Sequence, residues 1–238
     1  MIQGEEMPLP IDPCEPGARP GDAPSEDAAL RKARDAMVAS QIVVRGVRDP
    51  KILAAMRQVP RHLFVPPGLV KEAYADHPLP IGHGQTISQP YIVAFMTEAL
   101  GLKGGETVLE VGAGSGYQSA VLSRIAARVF GIEIVESLAR EAKARMARLG
   151  YTNVEIRAGD GYAGWPEHAP FDAIMVTAAA PRVPEPLKQQ LKDGGRLILP
   201  VGDYVQELKI VTRRGSGFEE RDVLGVTFVP MTGQIRKD

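Results

Sequence analysis

A single cysteine, Cys14, stands in a chain of 238 residues, so no internal disulfide can form and no second thiol is at hand for a zinc site. A reducing compartment suits such a chain. The four histidines, His62, His77, His83 and His168, include no pair at i, i+4 spacing, and no metal centre is expected. An excess of one charge is missing too. With 28 Lys and Arg against 29 Asp and Glu, the chain offers no basic field for a phosphate backbone, which argues against a dedicated nucleic-acid binder. No run of about 18 apolar residues occurs, which excludes a helical membrane span. The first 27 residues hold seven acids and six prolines but one basic residue, Arg19, and so lack both the basic start and the apolar core of a secretion signal. The cytoplasm is the expected location.

What is present divides near residue 27. Residues 1–27 are expected to form a disordered acidic, proline-rich extension, because so little apolar surface cannot offset the entropy of ordering. Residues 28–238 are read as one domain, with a helical region and a polar loop at 28–105, a ligand-binding core at 106–202 and edge strands at 203–238. From Ala28 to Val44, apolar Leu30, Ala33, Met37 and Val44 recur at helical spacing. Asp49 and Pro50 then mark a cap with proline at the first helical position; Ile52, Leu53 and Met56 form the stripe of a short helix that Pro60 stops. The stretch from Arg61 to Pro80 is expected to wind across the surface, and Pro80 to Pro90, PIGHGQTISQP, to be a polar loop leading into a helix through Ile92, Phe95, Met96, Ala99 and Leu100.

Strands are expected near Thr107 to Val111, Val129 to Glu133, Val154 to Ile156, Ala173 to Val176 and Arg196 to Pro200, with helices between them, the clearest from Glu136 to Leu149. Such alternation argues for a mostly parallel sheet with helices on both faces and ligands outside the carboxyl ends of the strands. Two more strands, near Glu207 to Arg213 and Asp222 to Phe228, follow a helix-free connection and are read as an antiparallel edge pair. The fold class is therefore α/β, Rossmann-like, with seven strands.

Val108 to Gln118, VLEVGAGSGYQ, is a short apolar run that opens into a loop with Gly112, Gly114 and Gly116. Glycines there let a ligand touch the backbone, and free amides at the next helix start favour an anionic group. A dinucleotide fingerprint would place its third glycine three residues after the second, where this chain has Tyr117, so a nicotinamide cofactor is disfavoured. Glu133, 21 positions after Gly112, ends the second strand, where a carboxylate can accept both hydroxyls of a ribose. Gly159-Asp160-Gly161 closes the third strand, with Asp160 in reach of an adenine amino group. S-adenosylmethionine, a nucleoside with an amino-acid tail and no phosphate, fits these three pieces. Glu110 ends the first strand and has two readings, a cap on the loop amides or a wall at the ligand's amino-acid end.

PRHLFVP, GHGQTISQP, VLEVGAGSGYQ, AGDG, FDAIMVTAAAP, LKDGGRLILPVG and FVPM, in this order and spacing, closely resemble the protein-L-isoaspartate O-methyltransferase family over roughly Met37 to Thr232. The resemblance implies a Rossmann-like methyltransferase that moves the methyl group of S-adenosyl-L-methionine to the α-carboxylate of L-isoaspartyl residues in damaged proteins and peptides, leaving S-adenosyl-L-homocysteine. Isoaspartyl-containing proteins are the implied partners, and a monomer is expected. A methyltransferase of another small molecule or of RNA on the same fold is the alternative; the chain shows neither a base-stacking Asn-Pro-Pro-Tyr motif nor a basic face.

By that resemblance Ser88 is the catalytic residue, orienting the substrate carboxylate. By spacing alone Ser88 before Gln89-Pro90 reads first as a helix cap, and the family resemblance reverses that order. Thr86, Gly112, Gly114, Ser115, Gly116, Glu133, Asp160 and Gly161 are the expected cofactor-binding residues. Ile87, His83 and Thr232 are the expected substrate contacts, although His83 between two glycines also suits a solvated turn. Ala178-Ala179-Ala180-Pro181, Pro200-Val201-Gly202 and Val229-Pro230-Met231 are expected around the peptide cleft.

Overall fold

The computed structural model describes residues 27–237. The extension expected at 1–27 lies outside the described residues except for Asp27, whose side chain accepts the Ala29 amide at 2.9 Å and caps the first helix, α1 (Ala28–Met37). The helix expected to reach Val44 changes character before it gets there. A π turn at Val38–Ile42 and a 3-10 turn at Val43–Arg45 follow α1, and the run ends at left-handed Gly46. The β-branched cluster Val38, Ile42, Val43 and Val44 and the Ser40 hydroxyl donating back to Ala36 O at 2.7 Å both disfavour a continued α-helix. The second helix, α2 (Pro50–Gln58), has the expected Asp49 cap, whose carboxylate accepts the Lys51 amide at 2.8 Å.

Residues 66–72 run over the surface as expected, but the segment just before them turns inward. Residues 61–72 form two 3-10 turns, and Arg61 and Phe64 are buried. Burial is possible because Arg61 Nε donates to Ala73 O at 2.7 Å, its guanidinium stacks 4.9 Å from the Tyr117 ring centroid, and Phe64 meets Tyr117 edge-on at 5.4 Å. The polar segment from Pro80 to Pro90 is also more ordered than expected. It contains a hairpin of β1 (Leu79–Gly82) and β2 (Gln85–Ile87), with Leu79 opposite Ile87, and it delivers the chain to α3 (Pro90–Leu100). His83 at its tip has φ +53, a conformation that non-glycine residues seldom adopt.

The main sheet comprises β3 (Thr107–Val111), β4 (Arg128–Glu133), β5 (Val154–Ala158), β6 (Phe171–Val176), β7 (Leu191–Val201), β8 (Gln206–Arg214) and β9 (Gly217–Val226). Its order is β5-β4-β3-β6-β7-β8-β9; the first five strands are parallel and the last two are antiparallel additions at one edge. The last strand starts and stops earlier than the expected Asp222 to Phe228, because the hairpin pairing Arg214 with Gly217 sets its register.

Period-two alternation sends Val108, Val129, Ala173 and Ile198 to one core and Leu109, Phe130, Ile174 and Leu197 to the other. The first core is closed by α1 to α3 with α4 (Tyr117–Ser123) and α5 (Glu136–Arg148). The second has thinner cover: the short α6 (Glu185–Gln189), 3-10 turns at Gly161–Ala163 and Pro166–His168, and Met231 and Ile235 from the C-terminal segment. From β3 the chain builds outward to β4 and β5, and from β6 it builds the other way to β7. The crevice above the β3 and β6 carboxyl ends is therefore the switch point at which an open α/β sheet receives its ligand.

Candidate active site

The crevice is a cavity with walls from the β2–α3 junction, the loop after β3, the end of β4 and the C-terminal segment. Gly112 opens the loop with φ +95, and a Cβ there would fall 2.5 Å from Thr177 Oγ1, just past β6. Only glycine fits. The Thr177 hydroxyl donates to Gly112 O at 2.6 Å, and the Gly112 and Ala113 amides donate to Ile132 O at 2.8 and 3.1 Å, so the loop is drawn down between β4 and β6.

Glu133 sits where β4 ends, 5% exposed, and accepts the Gly114 amide at 2.8 Å and the Val135 amide at 2.9 Å. One carboxylate thus holds the glycine loop and lines the cavity. Glu110 is fully buried in the same wall, with Ser119 donating a short hydrogen bond to one carboxyl oxygen and the other oxygen left without a partner. Burial pushes its carboxyl up to about 8; the Ser119 bond works against this, and the Glu133 charge adds to it. Of the two readings of Glu110, the loop cap is set aside, since its bond goes to α4.

Ser88 lies between β2 and α3 and is half-buried, and its hydroxyl makes no hydrogen bond among the described residues. It is not a helix cap. Gln89 occupies the N-cap position of α3, and its side chain instead donates to Asp76 O at 3.1 Å and Asp76 Oδ1 at 2.9 Å. Ser88 and Thr86 stand where the cavity meets a second, wider cleft, and both line the two.

Thr86, Ile87, Ser88, Gly112, Gly114, Ser115, Glu133, Gly161 and Thr232 all line the cavity. Three residues expected with them do not. Gly116 caps α4 beneath the loop and faces Met146. Asp160 stands at the rim, its carboxylate accepting the Tyr162 amide at 2.9 Å and the Gln234 amide at 2.7 Å. His83 turns outward, with Nε2 3.0 Å from Ser137 Oγ, tying the hairpin tip to α5.

Residues not expected as site residues complete the walls, among them Thr177, Gln118 and Met96. Thr177 was discoverable, because it follows a parallel strand at the carboxyl edge; Gln118 and Met96 reach the cavity only through helix packing. The C-terminal segment is strapped across by Ala179 N to Val229 O at 2.8 Å and Met231 N to Ala179 O at 2.7 Å, which seats Thr232 at the mouth. No group of three or more His, Cys, Asp or Glu able to hold a metal occurs among the described residues, and no helix there is long and apolar enough to cross a membrane.

Known proteins share this fold and much of this sequence. Protein-L-isoaspartate O-methyltransferase 2 of Shewanella sediminis is 58% identical over 209 residues, covering 87% of this chain and 86% of the relative. A solved protein-L-isoaspartate O-methyltransferase superposes with a TM-score of 0.78 at 32% identity, covering 86% of this chain and 67% of that one. A second structure, described as a protein-L-isoaspartate O-methyltransferase of Plasmodium falciparum in complex with S-adenosyl-L-homocysteine, gives 0.74 at 29% identity, with 84% and 98% covered. The family model for protein-L-isoaspartate(D-aspartate) O-methyltransferase matches residues 32–236, and the chain belongs to that family.

Proposed function

We propose that this protein transfers the methyl group of S-adenosylmethionine to the α-carboxylate of L-isoaspartyl residues in damaged proteins and peptides. The observation that carries this reading is the unengaged Ser88 hydroxyl at the junction of two spaces, a cavity under the glycine loop and a wider, more open cleft beside it. One suits a small cofactor and the other a peptide.

The walls of the cavity suit the cofactor. Glu133 would hold the ribose hydroxyls, the Gly112 to Ser115 loop the amino-acid end, and Gly161 with Asp160 at the rim the adenine. The unpartnered oxygen of Glu110, buried in an apolar wall, is the kind of group that an ammonium completes. When bound, the cofactor supplies a methyl group already activated by its sulfonium.

The chain's own work is positioning. A substrate carboxylate, with a reference pKa of about 4, is already ionised at neutral pH, so no general base has to create the nucleophile. Ser88 donates its hydroxyl to one carboxylate oxygen, and Thr86 and the backbone at Ile87 hold the group in line with the methyl carbon. His83 steadies the hairpin that carries them, and Thr232 closes the mouth. The Glu110 carboxyl, raised to about 8, is mostly protonated in the free enzyme at neutral pH and stays out of the methyl transfer. The ester product closes to a succinimide unaided, and opening of that ring restores some normal aspartyl linkage, which makes the activity a repair.

The test is methyl transfer from labelled S-adenosylmethionine to two synthetic peptides that differ only in an isoaspartyl or aspartyl linkage. Labelling of the isoaspartyl peptide alone is expected; equal labelling of both, or of neither, overturns the reading.

A further inference from the structure

The most exposed large apolar side chains among the described residues are neighbours in sequence, Tyr204 at 102% and Val205 at 78%, in the turn between β7 and β8. Single exposed apolar residues are ordinary on a protein surface. These two differ in where they stand and in how firmly their backbone is held.

They line the second cleft, which shares Thr86, Ser88, Ile92, Thr177 and Val229 with the reaction cavity. Phe228 and Val226 continue the same apolar wall. The turn below them is fixed at several points. The Gly202 amide donates to Ala180 O at 2.9 Å, and Gly202 has φ +124 with the Val205 carbonyl so near that a Cβ would fall 2.0 Å from it. Asp203 pairs with Arg236, whose Nε donates to Met231 O at 3.0 Å. The turn anchored at Gly202 and Asp203 therefore holds out an aromatic ring that nothing in the described chain covers. Tyrosine suits such a role, since it offers a large amphipathic face and loses little rotamer entropy on contact.

We propose that Tyr204 and Val205 form a subsite for a bulky apolar side chain flanking the isoaspartyl residue, so that the enzyme prefers damage sites with such a neighbour. The inference rests on the isoaspartyl reading above. It follows from continuity: a peptide whose carboxylate meets Ser88 leaves through the cleft that these residues wall, and extended chain advances about 3.3 Å per residue with side chains alternating in direction. A residue one or two positions from the modified one is then presented to the ring.

The experiment compares isoaspartyl peptides with alanine flanks against peptides in which phenylalanine replaces alanine at each of the two positions on either side in turn. In the full-length protein, phenylalanine at one or more positions is expected to raise kcat/KM about five- to twenty-fold, the scale of burying one aromatic contact. In the double variant Tyr204→Ser, Val205→Ser that ratio is expected to fall toward one. The ratio is immune to poor folding, because an inactive fraction lowers both rates alike. A phenylalanine advantage that is absent in the parent protein, or undiminished in the variant, overturns this inference alone. No transfer to any isoaspartyl peptide overturns the functional reading and the subsite with it.

Discussion

Glu110→Gln tests the electrostatics of the cavity most directly. In the folded free enzyme the Glu110 carboxyl is raised from 4.5 to about 8, chiefly by complete burial. Below about pH 4.5 the carboxyl is protonated in both folded and unfolded chains, and folding is indifferent to pH on its account. Between about 4.5 and 8 the unfolded chain releases this proton while the folded chain keeps it, so the unfolded state binds one proton fewer. Stability then falls as pH rises, by about 1.4 kcal/mol per unit for one group, and the loss is complete above about pH 8. From pH 5.5 to 7.5 the contribution amounts to roughly 3 kcal/mol. Glutamine fills the same space, carries no titration and can still accept from Ser119. Urea unfolding of both proteins without cofactor, at pH 5.5, 6.5 and 7.5, is therefore expected to show the variant gaining on the parent by about 1 kcal/mol or more per unit. Saturating S-adenosyl-L-homocysteine is expected to reduce the gain, since its ammonium favours the ionised carboxylate. Parallel stability curves for the two proteins would refute the assignment of a buried, protonated Glu110.

Ser88→Ala is expected to lower kcat on an isoaspartyl peptide about 10- to 100-fold while S-adenosyl-L-homocysteine binding, read by calorimetry, is retained, as for loss of one hydrogen bond to a charged group; unchanged turnover removes Ser88 from the mechanism. Glu133→Ala is expected to weaken S-adenosyl-L-homocysteine binding by about 2–4 kcal/mol, because it removes the proposed ribose acceptor and strands the Gly114 and Val135 amides that it holds now. Gly112→Ala places a methyl group 2.5 Å from Thr177 Oγ1 at φ +95, and a melting temperature lower by roughly 5–15 °C is expected; removing the clash with Thr177→Ala in the same chain is expected to recover part of it.

Much of this was legible residue by residue. The near-continuous apolar runs VLEV, VFGIE and FDAIMV mark strands buried on both faces, and the glycine loop with an acid at the next strand end marks the expected ligand edge. Readings failed where a contact far along the chain outweighed a local preference. Arg61 looks like a surface residue by type, but Ala73 O and the Tyr117 ring make its burial tolerable. The segment around His83 looks like loop because its glycines and polar residues carry no strand pattern, whereas pairing of Leu79 with Ile87 turns it into a hairpin. Ser88 matches a cap by spacing, but the chain enters α3 one residue later, at Gln89, and leaves that hydroxyl without a hydrogen bond among the described residues.

The sequence by itself determined the kinds and order of the elements and the family, because periodicity, proline, glycine and capping residues act over a few residues and motifs are read in one dimension. Only the tertiary structure decided which side chains share a wall. The order of the sheet sets β6 beside β3 across two intervening strands, bringing Thr177 onto Gly112, and helix α4 folds back so that Ser119 meets Glu110. Burial and charge at the site are sums over neighbours remote in sequence. The upward shift of the Glu110 carboxyl and the exposed ring of Tyr204 are consequences of packing that no local pattern encodes.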